Sequence, residues 1–138
     1  MNFELAPELT ALRQRVRTFV DEHIIPHEAE IATAEDRKRL KSLQAKAREE
    51  KLWTPHLPAA WGGLGLGPIG MATLFREMGR SPVGAKVFNC DAPDQGNMDL
   101  LLSSCSESQK DRWLRPLVEG SITSAMYSCD PASAVDID

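Results

Sequence analysis

Leu5, Leu9, Leu12, Val16 and Phe19 recur at steps of four, three, four and three. That rhythm puts them on one stripe of a helix and predicts an amphipathic opening helix. Pro26 has no N–H to bond backwards, so it should end or kink this helix near Ile25. A second helix is expected from Thr33, where "TAED" resembles a capping box with Asp36 in place of the usual Glu. Leu40, Leu43 and Ala47 give its buried face, and its many charges place the rest at the surface. Pro68 suits the first turn of a third helix, with Met71, Leu74, Phe75 and Met78 as its stripe and Gly79 as C-cap. The short apolar piece "VGAKVF" follows. Helix is expected again from about Asp94, with Met98, Leu101, Leu102 and Cys105 on one face. Ser106 and Gln109 then form a capping box, after which Trp113, Leu114, Leu117 and Val118 should face inward and Gly120 should end the helix.

Two stretches break the helical rhythm. "LWTPHLPAAWGGLGLGPIG" is rich in proline and glycine yet apolar, so it is a loop that must pack on something or bind something. From Ile122, "ITSAMYSCDPASAVDID" turns to β-branched and aromatic residues and reaches an Asp-Pro turn, which reads as the start of a strand. The pattern as a whole predicts an all-α fold, an irregular up-and-down helical bundle, followed by the first strand of something else. No internal repeat or low-complexity tract is visible.

The chain has 138 residues, enough for one domain or one domain and the beginning of another. Hydrophobic residues make up 42%, sufficient for a core at this length. The net charge is -4, with Arg and Lys interleaved with Glu and Asp, so there is no basic patch for nucleic acid. No run of apolar residues is long enough to span a membrane. The acidic start "MNFELAPELT" lacks the basic opening of a secretory or mitochondrial leader, so a cytoplasmic location is expected. Cys90, Cys105 and Cys129 are widely spaced and odd in number, which suggests reduced, structural thiols.

Three patterns have chemical readings. Gly65, Gly67 and Gly70 fit G-x-G-x-x-G, but a dinucleotide loop needs a buried strand just before it, and Pro55 and Pro58 stand there instead. A glycine-rich loop closing on a helix start is the better reading. His23 and His27 are four apart with Glu30 nearby, yet Pro26 interrupts the helix and no further ligand pattern supports zinc. Helix-end capping or packing is favoured for both histidines. Cys129 precedes Asp130, whose charge would raise the thiol pKa, so it is not read as a nucleophile.

The order of these features resembles the N-terminal part of the acyl-CoA dehydrogenase family. The opening helix runs into "DEHIIPHE", and "PAAWGGLGLG" is similar to the family's P-x-E-x-G-G-x-G-L. "REMGRSP" looks like its E-E-x-G-R, and "CSESQKDRWLRPLVEGS" matches its G-S-E-E-Q-K-x-x-W-L-P-P-L-x-x-G-E. "ITSAMYSCDP" falls where the family has a strand running into T-E-P. "VFNCDAPDQGNMDLL" is similar to the larger, long-chain acyl-type members. The resemblance covers residues 4 to 132.

It implies a helical N-terminal domain over residues 1–120 and the beginning of a flavin-binding β middle domain over 121–138. The implied activity is FAD-dependent α,β-dehydrogenation of a fatty acyl-CoA thioester, with an electron-transfer acceptor as partner. The cofactor would meet Tyr127, Ser128, Cys129 and Asp130, with Cys129 and Asp130 at the family's Thr and Glu positions. Asp91, Gly96 and Asn97 would line the acyl chain, Gly96 by leaving room and the other two at the edge. The catalytic base lies outside this chain in the family, so no catalytic residue and no metal ligand is assigned. FAD binding by these residues alone is expected to be weak or absent. The resemblance leaves open a homo-oligomer, and a mitochondrial or peroxisomal location for a longer eukaryotic chain. A different class of function is a non-catalytic helical binding or assembly module derived from the same fold.

Overall fold

The computed structural model describes residues 4–32 and 37–126. Among them every regular element is helical: α1 (Pro7–Phe19), α2 (Glu28–Ala32), α3 (Arg37–Glu49), α4 (Pro68–Met78), α5 (Gly84–Val87), α6 (Asp94–Ser104), α7 (Glu107–Gln109) and α8 (Arg115–Glu119). The chain forms two compact units, Met1–Asp91 and Ala92–Asp138. No helix among the described residues is long and apolar enough to cross a membrane.

Pro26 kinks the first helix rather than ending it. Without an N–H at Pro26 the regular ladder cannot continue, and its ring crowds the carbonyl one turn back. The chain widens into a π turn at Val20–Ile24, tightens into a 3-10 turn at Ile25–His27, and resumes as α2. The second unit repeats this device. A π turn at Lys110–Leu114 lies between α7 and α8, two residues before Pro116. Each π turn relieves a proline just downstream by letting the helix widen.

The first unit is built around the predicted stripes. Val16, Phe19, Val20 and Ile24 pack with Leu43 and Ala47 of α3, Leu74 and Met78 of α4, and Val83, Val87 and Phe88 around α5. The Phe19 and Phe88 rings meet at 5.1 Å. Leu12, Leu40 and Phe75 are partly buried against this cluster, on the faces expected for them. The capping box expected at Thr33–Asp36 lies outside the described residues. Helix α3 stops in a left-handed turn: Lys51 has φ 56, its N–H reaches the Arg48 carbonyl, and the Leu52 N–H reaches Ala47. This double bond pattern satisfies the last carbonyls of the helix. Gly79 caps α4 as expected, though with φ -69 and not in a left-handed turn.

The apolar loop from Leu52 to Gly67 is part of the core. Leu52, Trp53, Thr54 and Leu57 are buried, and the Thr54 N–H bonds the Phe88 carbonyl at 3.0 Å. The loop closes so tightly that a Cβ on Gly63 would lie 1.9 Å from the Leu57 carbonyl oxygen, so only glycine fits there. Arg48 stacks its guanidinium 3.7 Å above the Trp53 ring and shields it.

In the second unit Met98, Leu114 and Leu117 are buried. The capping box at α7 forms as expected, with the Gln109 N–H donating to Ser106 Oγ and the Ser106 N–H to Gln109 Oε1. Gly120 ends α8 at φ 67. One expected inward residue points outward: Trp113 is 48% exposed, with Arg112 over its ring. The π turn supplies the reason. Its extra residue rotates the stripe, so Leu114 and Leu117 keep the core and Trp113 leaves it. The strand expected from Ile122 is not formed among the described residues: 121–126 carry neither helix nor ladder. A strand exists only by pairing, and no described segment runs beside this one to pair with it.

Candidate functional site

The residues expected to line an acyl chain belong to different units. Asp91 is half-buried in the first unit, where its carboxylate faces Lys86 at 3.9 Å. Gly96 and Asn97 lie in the second unit, on the first turn of α6. Gly96 is exposed, and among the described residues nothing outside its own turn stands within 4 Å of where a Cβ there would be, so this turn opens onto free space. Asn97 is not open. Its Nδ2 donates to Ser124 Oγ at 2.8 Å and reaches the Ala125 carbonyl at 3.4 Å.

Asp94, three residues before Asn97 on the same helix face, completes the arrangement. Asp94 Oδ1 accepts the Ser124 N–H at 2.6 Å and the Ser124 hydroxyl at 2.5 Å. A carboxylate taking two such bonds makes them charge-assisted and short. At the start of a helix its charge also faces the positive end of the dipole. The first turn of α6 therefore does two things: it leaves space at Gly96 and holds the chain at Ser124 and Ala125. Sequence reasoning used Asp94 only to start a helix and gave Ser124 no role. The partners lie about thirty residues apart, and no local spacing signals such a contact. Tyr127, Ser128, Cys129 and Asp130, the implied cofactor positions, lie outside the described residues.

The first unit has two polar clusters of its own. Glu77, within "REMGRSP", is a buried carboxylate whose Oε2 makes no hydrogen bond. Arg17 of α1 approaches that oxygen at 3.9 Å and also faces Asp21, which Arg80 binds at 2.6 Å. The bond to Arg80 holds the Asp21 carboxyl below the usual carboxylate range and raises the Arg80 guanidinium in turn. The group thus cross-links α1 to the end of α4. The second cluster is a contact between His56 Nδ1 and Cys90 Sγ at 3.4 Å, tying the apolar loop to the residues after α5. It joins positions 34 apart in sequence.

The motif candidates resolve as packing features. Gly67 is the N-cap of α4 and Pro68 its first residue, and a 3-10 turn with loop precedes them rather than a strand. His23 stacks edge-on against Phe19 at 5.2 Å, while His27 faces Glu30 at 3.6 Å. Glu30 also pairs with Arg39, linking α2 to α3.

The match to known proteins follows this architecture. Residues 6–121 match the family model described as "Acyl-CoA dehydrogenase, N-terminal domain". Acyl-CoA dehydrogenase family member 11 of Rattus norvegicus is 37% identical over 128 residues, covering 85% of this chain and 16% of that protein. A Mycobacterium tuberculosis protein named "Probable acyl-CoA dehydrogenase FadE2" is 32% identical over 147 residues, covering 97% of this chain and 35% of its own length. A solved Mycobacterium abscessus structure assigned to the acyl-CoA dehydrogenases superposes with a TM-score of 0.74 at 37% identity, over 87% of this chain and 33% of that one. The chain thus spans well under half the length of the relatives it matches. The chain belongs to the acyl-CoA dehydrogenase family, and residues 6–121 are its N-terminal domain.

Proposed function

We propose that this chain is the N-terminal portion of an FAD-dependent dehydrogenase that desaturates a fatty acyl-CoA thioester between its α and β carbons. The observation that supports this reading best is the first turn of α6, where Gly96 opens onto free space beside Asn97, which anchors the chain at Ser124. An acyl chain needs a path that side chains do not fill, and an exposed glycine leaves room for one. Asn97 stands at its edge in this reading, and Asp91, bridged to Lys86, belongs to the first unit. Asn97 acts there through the main chain it holds.

For the flavin, the described residues provide one element: a main chain held at Ser124 and Ala125, two residues before Tyr127 in sequence. Tyr127, Ser128, Cys129 and Asp130 would hold the cofactor, which when bound supplies the hydride acceptor of the reaction. A thiol at Cys129 is a weaker donor than a hydroxyl, so a contact from that side chain would be poorer than one from threonine. An electron-transfer acceptor is the partner that such a reaction requires. The base that removes the α proton lies outside this chain, so residues 1–138 alone are a structural and substrate-facing portion of the enzyme.

The test is a chimera. Residues 1–138 replace the matching segment of the Mycobacterium abscessus protein, and the product is assayed for dye reduction driven by fatty acyl-CoA. The reading predicts a yellow protein with acyl-CoA-dependent turnover. A folded, FAD-loaded chimera that ignores every acyl-CoA while the unaltered protein responds would refute it.

A further inference from the structure

We propose that a cleft at the C-terminal end of α3 is a binding site for a small phosphate monoester, with Arg48 and Lys51 holding the phosphate. The site lies within the first unit and is independent of the function proposed above. The cleft has a volume of about 400 Å³, and its lining combines Arg48, Lys51 and Trp53 with Gly62 and Gly63 of the apolar loop.

Charge singles this cleft out. The chain carries 20 acidic and 16 basic residues, yet the charged groups that line the cleft are both cations. Another cleft of the same unit, beside α1, sets Arg15 against Glu22 and Glu50 and so offsets its own charge. The two cations are also held in place. The Arg48 guanidinium lies 3.7 Å above the Trp53 ring. Stacking fixes its plane, so less entropy is lost when its N–H groups meet an oxyanion at two points. Neighbouring groups strip part of its water, which lowers its pKa. A negative charge beside it opposes that shift.

Lys51 stands where a glycine would be more stable. At φ 56 it ends α3 in a left-handed turn, a conformation that costs any residue with a side chain. Its side chain lines the cleft, so glycine there would leave the site with one cation. The same turn bonds the carbonyls of Ala47 and Arg48, which blunts the negative end of the helix dipole. The loop supplies room rather than donors. Among the described residues nothing lies within 4 Å of a Cβ position on Gly62, and the Gly62 and Gly63 N–H groups already bond the Ala59 and Pro58 carbonyls. Recognition therefore falls to the two cations. Together they match the double negative charge of a phosphate monoester, and the guanidinium fork matches its oxygens. The volume falls in the range of small-molecule sites, so an organic body on the phosphate has space.

The test is an NMR titration of residues 1–138 with glycerol phosphate, inorganic phosphate and sodium chloride at matched ionic strength. Saturable shifts are expected at the Lys51, Gly62 and Gly63 amides and the Trp53 indole with both phosphates, at lower concentration for glycerol phosphate. Lys51→Gly removes a cation from a position that favours glycine, so the fold is kept while glycerol phosphate should bind about tenfold more weakly. Arg48→Lys keeps the charge but loses the fork and the stack, and should weaken binding by a similar factor. Thermal unfolding without ligand checks that each variant is folded. Shifts that never saturate, or that chloride reproduces, would reduce the effect to charge screening and overturn the site. Saturable binding that survives both substitutions would place the phosphate elsewhere and overturn it as well. Equal affinity for the two phosphates would overturn the assignment of a monoester as ligand.

Discussion

Glu77 allows a sharp test of how the first unit is held together. Its side chain is 5% exposed, Oε2 makes no hydrogen bond, and the Arg17 guanidinium stands 3.9 Å away and half in solvent. At that distance the attraction is about 4 kcal/mol with an effective dielectric of about 20. Removing a carboxylate from water costs several kcal/mol, so the pair roughly cancels itself. The two ways of breaking it are therefore unequal. Glu77→Met removes the desolvation cost together with the attraction and keeps a helix-compatible side chain of similar length, so stability should change by no more than about 1 kcal/mol, or rise. Arg17→Ala leaves the buried carboxylate uncompensated and should cost about 1–2 kcal/mol, a value reduced from that of a fully buried pair because Arg17 is half exposed. The double variant should recover most of that loss. Urea unfolding followed by far-UV circular dichroism on the four proteins gives the cycle. If Glu77→Met costs more than Arg17→Ala, the carboxylate is net stabilising and the argument from desolvation is wrong.

Three further outcomes are expected. Lys51 holds a left-handed conformation that suits glycine, so Lys51→Gly should stabilise the chain by about 0.5–1 kcal/mol, read as a shift in the urea midpoint. Asp21 has its carboxyl pKa lowered by Arg80, so its contribution is present above the ordinary carboxylate pKa and is lost as pH falls through the lower folded value. Acid unfolding should accordingly lose one component below about pH 4 in Asp21→Asn relative to the parent. Removing residues 128–138 should change the circular dichroism of the helices little, because the core described here, from Val16 to Leu117, lies before them. A large loss of helix on that truncation would place those residues in the core.

Much of the fold was legible because helices advertise their buried faces locally. The stripe through Val16 and Phe19, the stripe through Leu74 and Met78, and the Ser106–Gln109 box all depend on residues within a few positions of each other. Trp113 was misplaced because a π turn changes the period that the stripe assumes, and its cause, Pro116, acts from downstream. The candidate site was legible in part. Gly96 came from the family resemblance and not from its spacing, and the structure shows only that the space over it is open. The partners of Asn97 and Asp94 could not be read, because a contact spanning about thirty residues has no periodic trace. The pairing of His56 with Cys90 was hidden in the same way.

The central claim is that the first turn of α6 forms the wall of an acyl path, and chain-length selectivity tests it most directly. In the chimera carrying residues 1–138, kcat/KM is measured for a series of saturated acyl-CoA thioesters before and after Gly96→Phe. The added ring has room to form, since among the described residues nothing outside its own turn lies within 4 Å of a Cβ at that position. Folding and FAD content should therefore be kept, while long acyl chains lose activity relative to short ones. An unchanged chain-length profile in a folded, FAD-loaded Gly96→Phe protein would contradict the account.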